Sequence, residues 1–226
     1  LGQPTPDWLP AVRTARATVL GEDVTLTWID PARFDWALRA GKDERSHRMG
    51  GDFPEELAAA DASRARVAFG LGVGKRRSPR GLRIDGSTGH RFHGRDGVLL
   101  VGPGSLSILG SERPGSEPPE DATELPLTVD EGELTPAARS RGARQPRLDI
   151  CAVAGAIVVA DSTFDSHEAN ASVLRDMGCK TVLALDRGAD RAGWFTTERP
   201  GPFSTTALVG LDRPLRGAAR SFVGRQ

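Results

Sequence analysis

A mixed α/β domain, with one twisted sheet flanked by a few helices, is the fold class that the sequence predicts. Three observations carry this expectation. Short apolar runs recur along the chain, each bounded by glycine- or proline-containing turns. Between two of these runs, residues 162–178 show helical spacing. With 226 residues, 38% hydrophobic and 27% charged, the chain is long and apolar enough for a substantial core and too apolar for wholesale disorder.

The elements follow in chain order. In "ARATVLGEDVTLTWID" (15–30), Val19 and Leu20 precede Gly21-Glu22-Asp23, and Val24, Leu26 and Trp28 then alternate with Thr25 and Thr27. This is a strand, a tight turn and a second strand. "FDWALRAGKDERSHRMGGD" is ambiguous and becomes polar and glycine-rich after Leu38. "PEELAAADAS" (54–63) predicts a helix, with Pro54 in its first turn and acids close behind. "RARVAFGLGVG" (64–74) predicts a strand that loosens into glycines, and 80–86 and 97–110 predict further strands with turns between them.

Residues 111–124, "SERPGSEPPEDATE", are rich in proline, serine and glutamate and predict a surface loop inside one domain. "LDICAVAGAIVVAD" (148–161) reads as a hairpin turning at Gly155-Ala156. In the helix that follows, Asp165 and Glu168 have the capping-box spacing, with Ser166 as a rival cap, and Gly178 stands where a helix-ending glycine belongs. "CKTVLALD" (179–186) is then a buried strand. Strand, helix, strand in this order predicts a crossover between parallel strands, whose carboxyl ends are where ligands gather. Residues 1–13 are expected to be an N-terminal extension, 14–215 the domain and 216–226 a tail.

Composition narrows the function. The formal net charge is zero, which argues against a nucleic-acid binder working through a basic surface. Lysine occurs only at 42, 75 and 180, and the bias to arginine, alanine and glycine reads as a GC-rich bacterial genome. No apolar run approaches the roughly 18 residues of a membrane span, and no signal-peptide pattern is present. Cys151 and Cys179 each lie near the start of an apolar strand. They either form a disulfide, which implies an oxidising compartment, or remain two buried thiols.

Several motifs bear on chemistry. Asp186-Arg187-Gly188-Ala189-Asp190-Arg191 leaves an apolar strand with two acids, two arginines and a permissive glycine, a set suited to holding a polyol or phosphate with an acid left for proton transfer. The plain alternative is a solvated corner of self-paired charges. Gly70, Gly72 and Gly74 precede Lys75, Arg76 and Arg77, which resembles a phosphate cradle without being a Walker or dinucleotide fingerprint. His90 and His93 face opposite sides if they lie on a strand, and no metal site is expected there. His47 and His167 read as surface residues. No Gly-x-Ser-x-Gly elbow is present, and no cofactor is expected.

The order of these segments resembles the phosphodiester glycosidase domain family over roughly residues 14–215. The resemblance rests on the strand pair at 15–29, on Gly81-Leu82 and Asp85-Gly86 after a proline, on "LPLTVDEGEL" (125–134), on the Arg147-led hairpin, and on Ser166-His167-Glu168-Ala169, Met177-Gly178 and Ala184-Leu185-Asp186. It departs from the family at the functional motifs. Phe69-Gly70-Leu71 stands near the family's Asn-Gly-Gly, and Arg187-Gly188-Ala189-Asp190 replaces Gly-Gly-Gly-Ser.

The resemblance implies a hydrolase acting on a glycosyl phosphodiester or related envelope glycan. Asp186 would be the acid/base or substrate-holding carboxylate. Arg147 and Arg187 would bind phosphate, with Gly188, Asp190, Gly70 and Gly72 lining the substrate pocket. The alternative is a catalytically inactive relative that binds glycan or another protein in a cell-envelope assembly. Either reading implies a secreted or periplasmic protein with a carbohydrate or sugar-phosphate ligand. A pocket filled by Arg187 or Trp194 would favour the inactive reading.

Overall fold

A computed structural model describes residues 11–40, 59–71, 81–111, 118–187, 194–195 and 206–213. The strands are β1 (Val12–Val19), β2 (Glu22–Ile29), β3 (Phe34–Arg39), β4 (Ala65–Gly70), β5 (Leu82–Ile84), β6 (Ser87–His90), β7 (Gly97–Gly102) and β8 (Ser105–Leu109). They continue with β9 (Asp121–Leu125), β10 (Leu127–Asp130), β11 (Glu133–Leu134), β12 (Gln145–Val153), β13 (Ala156–Phe164), β14 (Val182–Arg187), β15 (Trp194–Phe195) and β16 (Ala207–Asp212). The α-helices are α1 (Ala59–Arg64), α2 (Pro136–Arg139) and α3 (Glu168–Asp176).

The strands form three sheets. The largest has seven strands in the order β1-β2-β13-β12-β14-β10-β11. A four-stranded sheet runs β15-β4-β16-β3, and a five-stranded sheet runs β6-β5-β9-β7-β8. The architecture is therefore richer in β-structure than the expected α/β sheet with flanking helices. The reason is local. Five pairings join consecutive strands through tight hairpins, and every strand pairing among the described residues is antiparallel. Four of the hairpins share a two-residue turn with both φ angles positive: Leu20-Gly21, Asp85-Gly86, Glu131-Gly132 and Ala154-Gly155. Such turns match the right-handed twist of the strands they join. The β1–β2 and β12–β13 turns thus each lie one residue before the expected position.

The central hairpin also revises the expected crossover. β13 leads through α3 to β14, and the two strands do run in the same direction. They are not paired with each other, because β12 lies between them and is antiparallel to both.

Burial on both faces of the large sheet builds the layers. Side chains on a strand alternate between faces. Leu148 and Ile150 of β12, with Ile157 and Val159 of β13 and Leu183 and Leu185 of β14, join Phe34, Trp36, Phe69, Leu82 and Leu99 from the two smaller sheets in the main core. On the other face, Cys151, Val158, Ala160 and Val182 pack with Ala169, Ala171 and Leu174 of α3 and with Ala138 of α2. Ala62 of α1 covers the outer side of the four-stranded sheet, against Ala65, Val209 and Leu211.

Gly97 of β7 marks a close approach between the five-stranded sheet and the large sheet. A Cβ there would lie 2.3 Å from Leu183 Cδ2 and 2.9 Å from the Leu109 carbonyl oxygen.

Three further expectations change. Residues 121–124, expected at the end of a surface loop, begin β9, which lies between β5 and β7. The helix expected over 162–178 spans Glu168–Asp176, because β13 extends to Phe164 as the partner of β12. Its N-cap is His167, which makes no side-chain cap, and Ser166 Oγ accepts from the Glu168 N–H at 3.3 Å; the expected Asp165–Glu168 box is not the cap. Cys151 and Cys179 form a disulfide that ties β12 to the chain just beyond α3.

Candidate functional site

The carboxyl end of β14 lies beside the amino end of β12. Arg187, the last residue of β14, is the register partner of Arg147, with a bulge between that pair and the next, Asp149 opposite Ala184. Asp186 immediately precedes Arg187 in the strand. Seven residues beyond Arg187, Trp194 begins β15 and pairs with Ala68 of β4. Gly70, two residues beyond Ala68, ends β4 opposite Ala207, and the Leu71 N–H donates to the Thr206 carbonyl at 2.8 Å. Seven peptide steps span at most about 25 Å, so the chain itself ties the end of β14 to β4. Gly72, Gly188 and Asp190 lie outside the described residues, as do the side chains of Asp186, Arg187 and Trp194.

Arg147 is almost wholly buried, at 1% exposure. Its Nε donates to the Phe164 carbonyl at 3.3 Å, and one terminal nitrogen donates to the carbonyls of Ala143 and Asp165 at 3.2 and 2.9 Å. Burial lowers its pKa, and the nearby carboxylates of Asp149 and Asp165 oppose that shift. The side chain thus closes the junction between β12, the end of β13 and the start of α3.

Beside it is a polar cluster that the apolar patterning of the sequence conceals. Asp149 points to the same face as Arg147 and is fully buried. Its Oδ1 accepts from Thr128 Oγ1 at 3.0 Å. Its Oδ2 accepts from Asn170 Nδ2 at 3.0 Å and lies 2.8 Å from His167 Nδ1. A carboxylate can only accept, so Nδ1 is the ring nitrogen that donates this bond. Asn170 Nδ2 also donates to the carbonyls of Arg147 and Ala160, at 3.1 Å each. Its three neighbours are all acceptors, which fixes the orientation of the amide.

His167 is therefore a buried residue and not the surface histidine that its polar surroundings suggested. The available signals were Asp149 inside an apolar strand and Asn170 on the apolar face of a helix. A charge and an amide in such places need partners.

A second buried carboxylate, Glu124 of β9, accepts from the backbone N–H groups of Gly81 and His93 at 2.9 Å and of Gly94 at 2.7 Å. It fastens the 91–94 segment to the five-stranded sheet. Among the described residues, no three or more His, Cys, Asp or Glu side chains are grouped to hold a metal ion. Among the same residues, no helix is long and apolar enough to cross a membrane.

His90, at the end of β6, has its pKa lowered by burial. The unfolded chain then takes up its proton first as pH falls, so stability drops as pH passes downward from about 6.5 through the folded-state value. A His90→Gln variant is expected to lose less of its melting temperature than the parent between pH 7 and pH 5, as scanning calorimetry would show.

These features define a class: a sheet-rich sandwich whose candidate site lies at one end of the largest sheet, where β12 and β14 meet. Its solved relatives in fold are specific. The catalytic domain of zebrafish N-acetylglucosamine-1-phosphodiester alpha-N-acetylglucosaminidase, auto-inhibited by its pro-peptide, superposes with a TM-score of 0.60 at 13% identity, covering 89% of this chain and 82% of its own. A hypothetical protein from Synechocystis superposes with a TM-score of 0.59 at 13% identity, covering 92% of this chain and 63% of its own. These likenesses establish a shared fold. No family model matches the chain, and none of the curated proteins matches it in sequence.

Proposed function

We propose that the protein is a divergent hydrolase of the phosphodiester-glycosidase fold, cleaving a glycosyl phosphodiester or related envelope glycan at the carboxyl end of β14. The observation that carries this reading is the fold shared with a phosphodiester glycosidase catalytic domain over 89% of the chain. Asp186 is assigned as the acid/base or substrate-holding carboxylate. Arg187, beside it, supplies a cation for the phosphate, and Gly70, Gly72, Gly188 and Asp190 line the pocket. Arg147 is the second phosphate-binding candidate by its register with Arg187, but its carbonyl partners suit it first to holding the wall of the site. The disulfide supports an exported protein, since such bonds persist in oxidising compartments.

The burial of Arg147 favours a second reading, a glycan-binding or structural domain without turnover. One experiment separates the two. Release of sugar from a panel of sugar-1-phosphodiesters is measured for the parent and for Asp186→Asn. The hydrolase reading expects turnover that falls by about 10²–10⁴-fold in the variant, the usual contribution of a general acid–base group. A folded parent with no turnover across the panel leaves the binding reading.

A further inference from the structure

We infer that a groove at the opposite end of the large sheet is a second, non-catalytic carbohydrate-binding site. This inference rests on the glycan-acting reading and deepens it by adding a place where a longer glycan is held away from the point of cleavage.

The groove has a volume of about 550 Å³ and is lined by Arg13 and Thr14 of β1, Trp28 and Ile29 of β2, Asp30, and the Ala154-Gly155 turn of the central hairpin. That volume falls within the roughly 300–1,000 Å³ of ordinary small-molecule sites, which suits a short oligosaccharide. Six residue steps along β12 lead from Arg147 to Val153, at the foot of the turn. At strand rise this places the groove roughly 20 Å from the end of β14.

The chemistry of the walls selects the ligand. Arg13 and Trp28 are register partners on adjacent strands, so a guanidinium and an indole stand side by side on one face. The Arg13 guanidinium has no hydrogen bond or ion pair among the described residues, and the Trp28 indole N–H likewise has no acceptor. Asp30 uses Oδ1 to accept from the Ala32 N–H at 3.0 Å, which leaves Oδ2 to accept from a ligand. The rim therefore offers two donors and a carboxylate oxygen without partners among the described residues, beside a half-buried indole that packs in part on the helix-side core.

Charges of both signs disfavour a phosphate or another purely anionic ligand, because Asp30 would repel what Arg13 attracts. A sugar ring fits this set. Its vicinal hydroxyls both donate and accept, and its C–H face packs on an indole. Small residues at Ala154, Gly155 and Ala156 leave room on the opposing wall.

The test is calorimetric titration of the full chain with chitotetraose, cellotetraose and maltotetraose, alongside an Arg13→Ala/Asp30→Asn double variant and Trp28→Phe. The asparagine keeps the Oδ1 that caps Ala32, and phenylalanine keeps most of the apolar contact, so both variants should stay folded. The expected result is saturable binding of at least one tetrasaccharide, weakened at least tenfold in the double variant, with turnover of a small sugar-1-phosphodiester unchanged. Binding that is lost in Asp186→Asn but retained in the double variant would place the glycan at the β14 end and overturn the inference. Absence of binding to all three tetrasaccharides would overturn it as well. If the groove binds but no phosphodiester is cleaved, the second site stands and the hydrolase reading fails; the two failures are therefore distinguishable.

Discussion

Replacing Asp149 with alanine is expected to lower the unfolding free energy by about 3–5 kcal/mol, since several buried donors lose a shared acceptor at about 1–3 kcal/mol each. The carboxylate is fully buried and is the shared acceptor of Thr128 on β10, His167 at the start of α3 and Asn170 within α3. Its removal leaves three donors without that acceptor, in a place water reaches poorly. The Val182 carbonyl, 3.4 Å from Thr128 Oγ1, can take over that one bond, whereas the remaining partners of Asn170 are carbonyls it already uses. Urea denaturation followed by circular dichroism measures the change. Asp149→Asn should lose less, because one acceptor oxygen survives while an amide N–H₂ now meets the donors. A loss below about 1 kcal/mol for the alanine variant would mean that water enters this junction and satisfies the donors. In that case the cluster would not be what holds α3 on the sheet.

Removing the disulfide has the second-largest expected effect. The bond joins Cys151 of β12 to Cys179, with a sequence separation of 28. Closing a loop of that size in the unfolded chain is worth about 3–4 kcal/mol on the chain-entropy account. Both sulfurs lie in the core between α3 and the large sheet, with Ala169, Leu174 and Val182 around them. A Cys151→Ala/Cys179→Ala double variant is therefore expected to unfold at markedly lower denaturant concentration, with little change in the denaturant dependence per unit surface exposed. The parent in reducing agent should show a similar shift. If reduction leaves the midpoint unchanged, the bond is either absent in solution or matched by thiols that pack equally well.

These two effects share one location. Asp149 and Cys151 occupy alternate positions on the same face of β12, one tying the start of α3 to the sheet and the other fixing its far end. β12 is also the strand that carries Arg147 into register with the end of β14. Loosening α3 is thus expected to disturb the candidate site through Arg147, without any residue of the site being altered.

Local pattern was sufficient for much of the architecture. Alternating apolar residues located the strands of the 15–29 pair, two apolar runs around a glycine located the central hairpin, and helical spacing with Gly178 located the body and end of α3. These signals are legible because each depends on residues within one or two turns of chain. The positions of Asp186 and Arg187 at the end of a strand followed from the same reading, and the backbone agrees.

What the chain pairs with across long distances could be settled only by the fold. An apolar run such as "LDICAV" fits a parallel or an antiparallel neighbour equally well, so the placement of β12 between β13 and β14 was invisible. The same is true of β9, whose sequence resembles the polar loop before it until Ala122 and Leu125 find a core. The partners of Asp149, His167 and Asn170 come from three separate elements, and the groove is assembled from β1, β2 and a turn more than a hundred residues away. Local sequence encodes the propensity of each segment, but the partner of a buried polar group is supplied by packing, because burial removes the water that would otherwise satisfy it.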